Sequence, residues 1–202
     1  MKKLVVATRN RGKIVELELL LQGVVETVLP IGSFPGTTEV EEDGATFREN
    51  AVKKARYAAE VTGLPALADD SGLVVDYLNG RPGVHSARFA GPGANDKSNN
   101  RKLLEELAGV PVSRRNAAFH CVLAYCTPEG ECRTFDGTLE GIILEKEQGE
   151  GGFGYDPLFL IPGYGETLAQ LSMEIKNNIS HRAAALFQLK RHLAESDGNP
   201  LQ

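Results

Sequence analysis

The sequence predicts an α/β fold, because apolar runs typical of strands alternate along the chain with amphipathic segments typical of helices. The first run, Leu4 to Thr8, leads through a polar loop into a helical pattern over residues 14–21. A second helix is predicted to begin at Thr46, since Thr46 and Glu49 have the spacing of a capping box. With 202 residues, 42% of them hydrophobic, the chain can form one domain with a substantial core, and we assign residues 1–202 to it.

Composition and charge argue against several classes of partner. The net charge is −5 without a polybasic block, whereas proteins that bind nucleic-acid polymers usually carry a strongly basic face. The apolar run after Lys3 is too short for a signal peptide, and no segment approaches transmembrane length. Cys121, Cys126 and Cys132 lack C-x-x-C spacing, which predicts reduced thiols in the interior and no zinc site. We therefore expect a cytoplasmic protein that binds neither nucleic-acid polymers nor membranes.

The first loop, Thr8–Lys13, has the features of an anion site. A strand, a polar loop with a glycine and then a helix present backbone N–H groups and a helix dipole to an anion. The loop is neither a G-x-G-x-x-G nor a Walker A sequence, and an ordinary connection with surface charges is the alternative. Arg9, Arg11 and Lys13 are unfavourable near the positive end of a helix unless an anion binds there. We therefore predict a polyphosphate at this loop.

Residues Leu64 to Asp76 carry an acidic pair between two apolar runs. Asp, Ser and Gly are ordinary turn formers, so a turn at Asp69 and Asp70 is one interpretation. The other is a buried acidic centre, which needs a cation, since an unpaired buried carboxylate is costly. Lys54 lies in the middle of the apolar face of the helix that begins at Thr46, although it could also extend to solvent. We favour the acidic centre, with Asp70 as the main functional group because adjacent strand residues point to opposite faces.

Two segments near the C-terminal end add candidate ligand contacts. Glycines surround two aromatic side chains in residues 149–157, which lets backbone and rings approach a flat ligand, unless this is only a tight loop before a strand. His181 and Arg182 lie in the first turn of a predicted helix, where cations again call for an anion or an acceptor. Together with the acidic centre, these segments predict a nucleotide polyphosphate bound with a divalent metal ion.

The remaining segments continue the alternation of elements. Asp96 is predicted to cap a helix, and the glycine- and proline-rich segment 91–95 before it is the best candidate for a junction between lobes. Predicted strands cover residues 24–29, 73–78, 116–126, 132–138, 141–145 and 158–161, with a hairpin turn at 127–130.

Six motifs, in order and spanning residue 4 to about residue 190, resemble the inosine/xanthosine triphosphate pyrophosphatase family of the HAM1/RdgB type. The motifs are Thr8–Lys13, Thr46–Ala51, Ala68–Leu73, Ser86–Phe89, Gly152–Pro157 and Ile179–Arg182. Arg9 departs from the family pattern, which has glycine there. The resemblance implies a two-lobed α/β subunit with an elongated mixed β-sheet flanked by helices, an active site in the cleft between the lobes, and a homodimer.

The resemblance also implies an activity and a set of site residues. The reaction is hydrolysis of the non-standard nucleotides ITP, dITP and XTP to the monophosphate and pyrophosphate, which cleanses the nucleotide pool. Mg²⁺ is expected on Glu42 and Asp70, with Asp69 as a secondary ligand and Asp70 as the acceptor of the proton from the attacking water. Substrate-binding residues are expected to be Thr8, Asn10, Lys13, Lys54 and Ser71 for the phosphates, and Phe153, Gly154, Tyr155, Asp156, Lys176, His181 and Arg182 for the base and sugar. Arg9, Arg11 and Gly12 of the first loop are also expected to contact the substrate.

Two alternatives share part of this chemistry. One is a Maf-like nucleotide pyrophosphatase with another base specificity, and the other is a non-catalytic sensor of purine nucleotides. An assay of pyrophosphate release across several nucleotides separates all three. Selectivity is expected to come from donors such as His181 and Arg182 that meet the purine 6-oxo group, where ATP instead offers an amino donor.

Overall fold

The computed structural model describes residues 1–196, which divide into two units. Unit 1 comprises residues 1–70, 121–137 and the segment from His181 onward, and unit 2 comprises residues 71–120 and 138–180. Within the described residues, every helix is too short or too polar to traverse a lipid bilayer.

The described residues form seven strands and five α-helices. In chain order they are β1 (Lys3–Val6), α1 (Arg11–Leu21), β2 (Thr27–Pro30), α2 (Phe47–Thr62), β3 (Ala66–Val75), α3 (Asp96–Glu106), β4 (Asn116–Cys126), β5 (Cys132–Ile143), β6 (Phe159–Ile161), β7 (Glu166–Thr167), α4 (Met173–Ile179) and α5 (His181–Ser196). The strands form one sheet in the order β2-β1-β3-β4-β5-β6-β7. Strand β1 pairs in parallel with β2 and β3, whereas β6 pairs antiparallel with β5 and β7. The predicted α/β class with a mixed sheet is confirmed.

In unit 1, alternate residues of the strands belong to two different apolar clusters. Leu4 and Leu67 pack in one cluster with residues of α1 and α5, whereas Val5 and Ala66 pack in the other with the alanines of α2. Because side chains alternate across a strand, these clusters lie on opposite faces of the sheet. Strands covered on both faces read as continuous apolar runs, which is the pattern that the sequence shows.

Unit 2 has its own core, formed around two aromatic rings. Phe119 and Phe159 contact each other with ring centroids 4.6 Å apart, and leucines from β3 and α3 pack with them in the same apolar cluster. The guanidinium of buried Arg115 donates to the carbonyl oxygens of Leu107 and Val110. These bonds satisfy carbonyls at and just beyond the C-terminal end of α3, so that end of the helix is fixed.

Four elements differ from the sequence prediction. Strand β3 begins at Ala66 and runs through the acidic pair, so the alternative of a turn there is wrong. Strand β5 is continuous from Cys132 to Ile143, where two strands were predicted. Helix α4 was not predicted, and Lys176 lies within it rather than in a loop before α5. Asn95 rather than Asp96 caps α3, since its side chain accepts a hydrogen bond from Ser98 N.

The prediction that all three cysteines are reduced thiols is wrong. Cys126 and Cys132 form a disulfide, and Cys121 is a free, buried thiol. Cys126 ends β4 and Cys132 begins β5, so the short connection between these neighbouring strands brings the two residues together. The absence of C-x-x-C spacing excludes only one type of site, whereas this disulfide depends on two positions that come together across the predicted hairpin.

Candidate active site

Strand β3 directs two consecutive carboxylates to opposite faces of the sheet in unit 1. Asp69 is 1% exposed and Asp70 is 5% exposed, although both are acidic. Asp69 lies on the same face of β3 as Leu67, which packs with α1 and α5. Asp70 lies on the same face as Ala66, which packs with α2. The prediction that the two carboxylates point to opposite faces is confirmed by their partners, which lie on different helices.

Asp69 is held by two cations. Lys13 Nζ lies 2.6 Å from Asp69 Oδ1, and Arg182 donates to Oδ2 from Nε at 3.1 Å and from Nη2 at 2.9 Å. The remaining terminal nitrogen of Arg182, Nη1, donates to Glu16. Burial alone would raise the pKa of Asp69, but Lys13 and Arg182 outweigh it and hold that pKa well below its ordinary value. Asp69 is therefore a fixed negative charge.

Asp70 belongs to a second cluster on the α2 face. Lys54 Nζ lies 2.9 Å from Asp70 Oδ1 and 2.5 Å from Glu42 Oε1, so one ammonium joins two carboxylates. Burial raises the pKa of Asp70, and the opposing effect of Lys54 is the smaller. Burial would lower the pKa of Lys54, but Asp70 and Glu42 together raise it. The two neighbouring aspartates thus have pKa values shifted in opposite directions, a pattern that occurs at acid–base sites.

Asn50 connects this cluster to the loop that carries Glu42. Its Oδ1 accepts a hydrogen bond from Gly44 N at 2.8 Å, which leaves the NH₂ group facing Asp70 Oδ2 at 3.3 Å. A Cβ on Gly44 would lie only 2.6 Å from Asn50 Oδ1, so the close approach requires glycine. The sequence analysis missed Asn50. The signal was its spacing, because a residue four positions before Lys54 on α2 shares its face.

The loop Thr8–Lys13 is stabilised by hydrogen bonds between side chains and backbone groups. Asn10 is the N-cap of α1, since its side chain accepts a hydrogen bond from Lys13 N at 3.2 Å, and Arg11 and Gly12 form the first turn. Thr8 Oγ1 accepts a hydrogen bond from Asn10 N at 3.2 Å. Arg9 donates to the carbonyl oxygen of Thr37 at 2.9 Å. The role of these residues in substrate binding stays a prediction.

Unit 2 contains the aromatic loop and its partners. Lys176 Nζ lies 2.6 Å from Asp156 Oδ2 and 5.8 Å from the centre of the Phe153 ring. Asp156 Oδ2 also accepts a hydrogen bond from Phe153 N at 3.2 Å, which closes the loop on itself. Tyr155 is buried, and its hydroxyl donates to Ser86 O at 2.8 Å. Phe153 is the half-exposed aromatic ring of this loop, available to stack on a flat ligand.

The predicted site residues thus fall into three groups whose members contact one another. The groups are Glu42, Lys54 and Asp70; Lys13, Asp69 and Arg182; and Phe153, Asp156 and Lys176. His181 is buried at the start of α5, and Ser71 follows Asp70 directly in β3. Arg9 instead contacts Thr37, which belongs to none of these groups.

The carboxylates on the α2 face fit a magnesium ion. Among residues 1–196, no three side chains of His, Cys, Asp or Glu cluster so as to hold a metal ion by themselves. Magnesium, however, is usually bound by one or two carboxylates, with waters and substrate phosphates as the other ligands. Glu42 and Asp70 converge on one cation, the ammonium of Lys54, and supply the oxygen donors that such a site needs.

Comparison with known proteins gives consistent matches over nearly the whole chain. The model of the Ham1 family matches residues 4–192. A protein of Geobacter sulfurreducens named dITP/XTP pyrophosphatase is 57% identical over 193 residues, which is 96% of this chain and 97% of that protein. A protein of Desulforamulus reducens with the same name is 59% identical over 91% of this chain and 92% of its own length. The solved structure of a HAM1 protein from Coxiella burnetii has a TM-score of 0.87 and 43% identity, covering 96% of this chain and all of that one.

Proposed function

The chain belongs to the Ham1 family, and on that premise we propose that it hydrolyses dITP, XTP and ITP to the nucleoside monophosphate and pyrophosphate. The observation that carries this proposal is the extent of the match to the dITP/XTP pyrophosphatases, which leaves no large segment of either chain unaligned. The charged clusters on both faces of β3 support it, because phosphoryl transfer depends on positioned cations and carboxylates.

We propose that Asp70 accepts the proton from the water that attacks the α-phosphorus. A carboxylate whose pKa is raised by burial is a better base than an ordinary surface carboxylate. The bond between the α-phosphorus and its bridging oxygen breaks, and pyrophosphate leaves with the electron pair. Lys54, beside Asp70, and Lys13, in the first loop, are the cations proposed to bind the phosphates.

Mg²⁺ is proposed to bind on Glu42 and Asp70. When bound there, it supplies positive charge that neutralises the phosphate oxygens and helps to lower the pKa of a coordinated water. Asn50 donates a hydrogen bond to the Asp70 carboxylate and accepts one from Gly44 N in the loop after Glu42. The two carboxylates proposed to bind the metal are therefore positioned before it binds. Asp69 is proposed to act as the counter-charge of Lys13 and Arg182 rather than as a principal ligand, because its oxygens already contact those cations.

The base is proposed to bind at the aromatic loop, with stacking on Phe153 and polar contacts from Asp156 and Lys176. A site that donates hydrogen bonds to the 6-oxo group leaves those donors unpaired with an adenine, which can reduce kcat/KM by about 10⁴ or more. We propose His181 as one of the donors to the 6-oxo group. A contact of Arg182 with the base stays a prediction, and its guanidinium already donates to Asp69 and Glu16.

Pyrophosphate release from dITP, XTP, dGTP, dATP and dUTP, with and without Mg²⁺, tests the proposal. We expect dITP and XTP to be hydrolysed preferentially and only with the metal. Asp70→Asn should abolish turnover without unfolding the protein. Asp43→Asn is the matched control, since Asp43 lies beside Glu42 in sequence but pairs with Lys53 on the surface.

Each contrary outcome removes a stated part of the proposal. Wild-type activity in Asp70→Asn would exclude Asp70 as the base. Tight binding of dITP without pyrophosphate release would identify a sensor instead of an enzyme. Preference for a pyrimidine nucleotide would identify the Maf-like alternative. The proposed homodimer is tested separately by light scattering, which should give twice the mass of one chain.

A further inference from the structure

Helix α3 holds both hydrogen-bonding groups of one residue in the aromatic loop. Asp96 Oδ2 accepts a hydrogen bond from Gly154 N at 2.7 Å, and Asn100 Nδ2 donates to Gly154 O at 3.1 Å. Asp96 and Asn100 are four residues apart, so they lie on the same face of α3. Gly154 has φ of +62°, and no atom lies within 4 Å of the position of a Cβ on it. Its two peptide groups are therefore held by α3 and not by side-chain packing.

The residues that follow Gly154 are held by other elements. Tyr155 donates to Ser86 O, and the Asp156 carboxylate contacts Lys176 of α4. The two hydrogen bonds from α3 therefore act on Gly154, which lies between Phe153 and the anchored residues Tyr155 and Asp156. Loss of these hydrogen bonds should change the orientation of the two peptide groups of Gly154 without releasing the whole loop.

The hydrogen bond to Gly154 accounts for an asparagine at position 100 better than packing does. Asn100 is 3% exposed, and its Oδ1 is buried without a hydrogen-bond partner among the described residues. Its Nδ2 donates to Gly154 O and also to Glu147 Oε1 at 3.0 Å, and since both neighbours are acceptors, the NH₂ group must face them. A leucine of similar size would bury no unpaired oxygen. The amide is therefore suited to orienting the loop.

We propose that Asp96 and Asn100 are positioning residues that set the selectivity of the enzyme for its purine base. They act through Gly154, whose N–H and carbonyl they orient within the segment that meets the base, and they need not touch the substrate themselves. This inference rests on the proposed function. Selectivity through hydrogen bonds requires fixed donors and acceptors, because an adaptable site would also pair with the wrong base.

Four variants test the inference, with kcat and KM for dITP and dATP and the melting temperature as readouts. Asp96→Ala removes the acceptor of Gly154 N, whereas Asp96→Asn keeps an acceptor oxygen and removes only the charge. Asn100→Leu removes the donor to Gly154 O. Arg101→Ala is the control, because Arg101 is exposed on the same helix.

We expect Asp96→Ala and Asn100→Leu to raise the KM for dITP about tenfold, the effect of losing one charge-assisted or buried hydrogen bond. Their kcat should stay within about twofold of wild type, and the preference for dITP over dATP in kcat/KM should narrow by a similar factor. Asp96→Asn and Arg101→Ala should behave as wild type. The melting temperature of Asp96→Ala should change little, since Asp96 is exposed.

Two results would overturn the inference. One is an unchanged KM and unchanged preference in Asp96→Ala and Asn100→Leu. The other is a rise in KM accompanied by a parallel fall in kcat and in melting temperature, which indicates a purely structural role. If the wild-type protein releases no pyrophosphate, the proposed function fails instead. In that case the dissociation constants of dITP and dATP are measured by calorimetry on the same variants. The inference then requires that the preference for dITP over dATP in binding narrows by the factor expected above.

Discussion

Replacing Arg182 by alanine should destabilise the protein strongly, because it leaves two buried carboxylates without their shared cation. Arg182 is 1% exposed, and its guanidinium donates to Asp69, which is 1% exposed, and to Glu16, which is 6% exposed. Breaking a buried ion pair by removing one partner costs about 3–5 kcal/mol. For a chain of this size, that loss corresponds to a fall in melting temperature of about 6–20 °C. Thermal and urea denaturation of Arg182→Ala measure it directly.

An exposed arginine of unit 1 provides the matched control. Arg48 Nη2 lies 2.8 Å from Asp136 Oδ2, but both side chains are more than half exposed. Arg48→Ala should therefore cost less than about 1 kcal/mol. Combining Arg182→Ala with Glu16→Gln should recover part of the loss, because residues in one network are not additive. If Arg182→Ala lowers the melting temperature no more than Arg48→Ala does, the buried network does not stabilise the fold and the reasoning is refuted.

Three further predictions concern a close contact, a pH dependence and the metal. A Cβ on Gly137 would lie 2.0 Å from the carbonyl oxygen of the first residue of α5, so Gly137→Ala should destabilise by about 1–3 kcal/mol in urea, whereas Gly32→Ala, with open space around it, should not. Burial raises the pKa of Tyr155, so its contribution to stability is present below its ordinary pKa of 10.0 and is lost at higher pH. Between pH 10 and pH 11, wild type should lose up to about 1.4 kcal/mol more than Tyr155→Phe, and equal losses would contradict this. Glu42→Gln should raise the Mg²⁺ concentration for half-maximal activity about tenfold or more, and an unchanged titration would remove Glu42 from the metal site.

The sequence predicted those features of the site that depend on local periodicity. The position of Lys54 within the apolar face of α2 and the opposite directions of Asp69 and Asp70 follow from the geometry of one helix and one strand. Both could be read from a few neighbouring residues. The structure then added what periodicity does not contain, namely that Lys54 joins Asp70 to Glu42.

The partners of the cations near the starts of helices could not be identified from local sequence. Lys13 and Arg182 were expected to need an anion because cations are unfavourable at that end of a helix. The structure provides carboxylates from within the protein: Asp69 pairs with both cations, and Glu16 also pairs with Arg182. Asp69 is 113 residues from Arg182. A contact over that separation depends on how the strands are ordered in the sheet. The requirement for an anion was thus predictable, but its source was not.

Two glycines of β5 show why its continuity is hard to predict. Gly137 and Gly141 lie in the two predicted strands, 132–138 and 141–145, and glycine weakens a strand interior. In the structure both allow close approach, because a Cβ on Gly137 would meet the backbone of α5 and one on Gly141 would lie 2.4 Å from the Phe159 ring. A single sequence contains the same glycine in either case. Only the neighbouring element decides between a break and a contact.

The ion pair between Glu16 and Arg182 also bears on the order of events during synthesis. The two residues are 166 positions apart, so a ribosome must release α5 before the guanidinium can reach either carboxylate. Until then, Asp69 can pair with Lys13 but lacks its second cation, and Glu16 lacks the guanidinium, so burying both carboxylates is less favourable than in the finished fold. At about 5–20 residues per second, the nascent chain spends roughly ten seconds or more in this state. The N-terminal strands and helices therefore gain the stabilisation from this ion-pair network only after translation has passed Arg182.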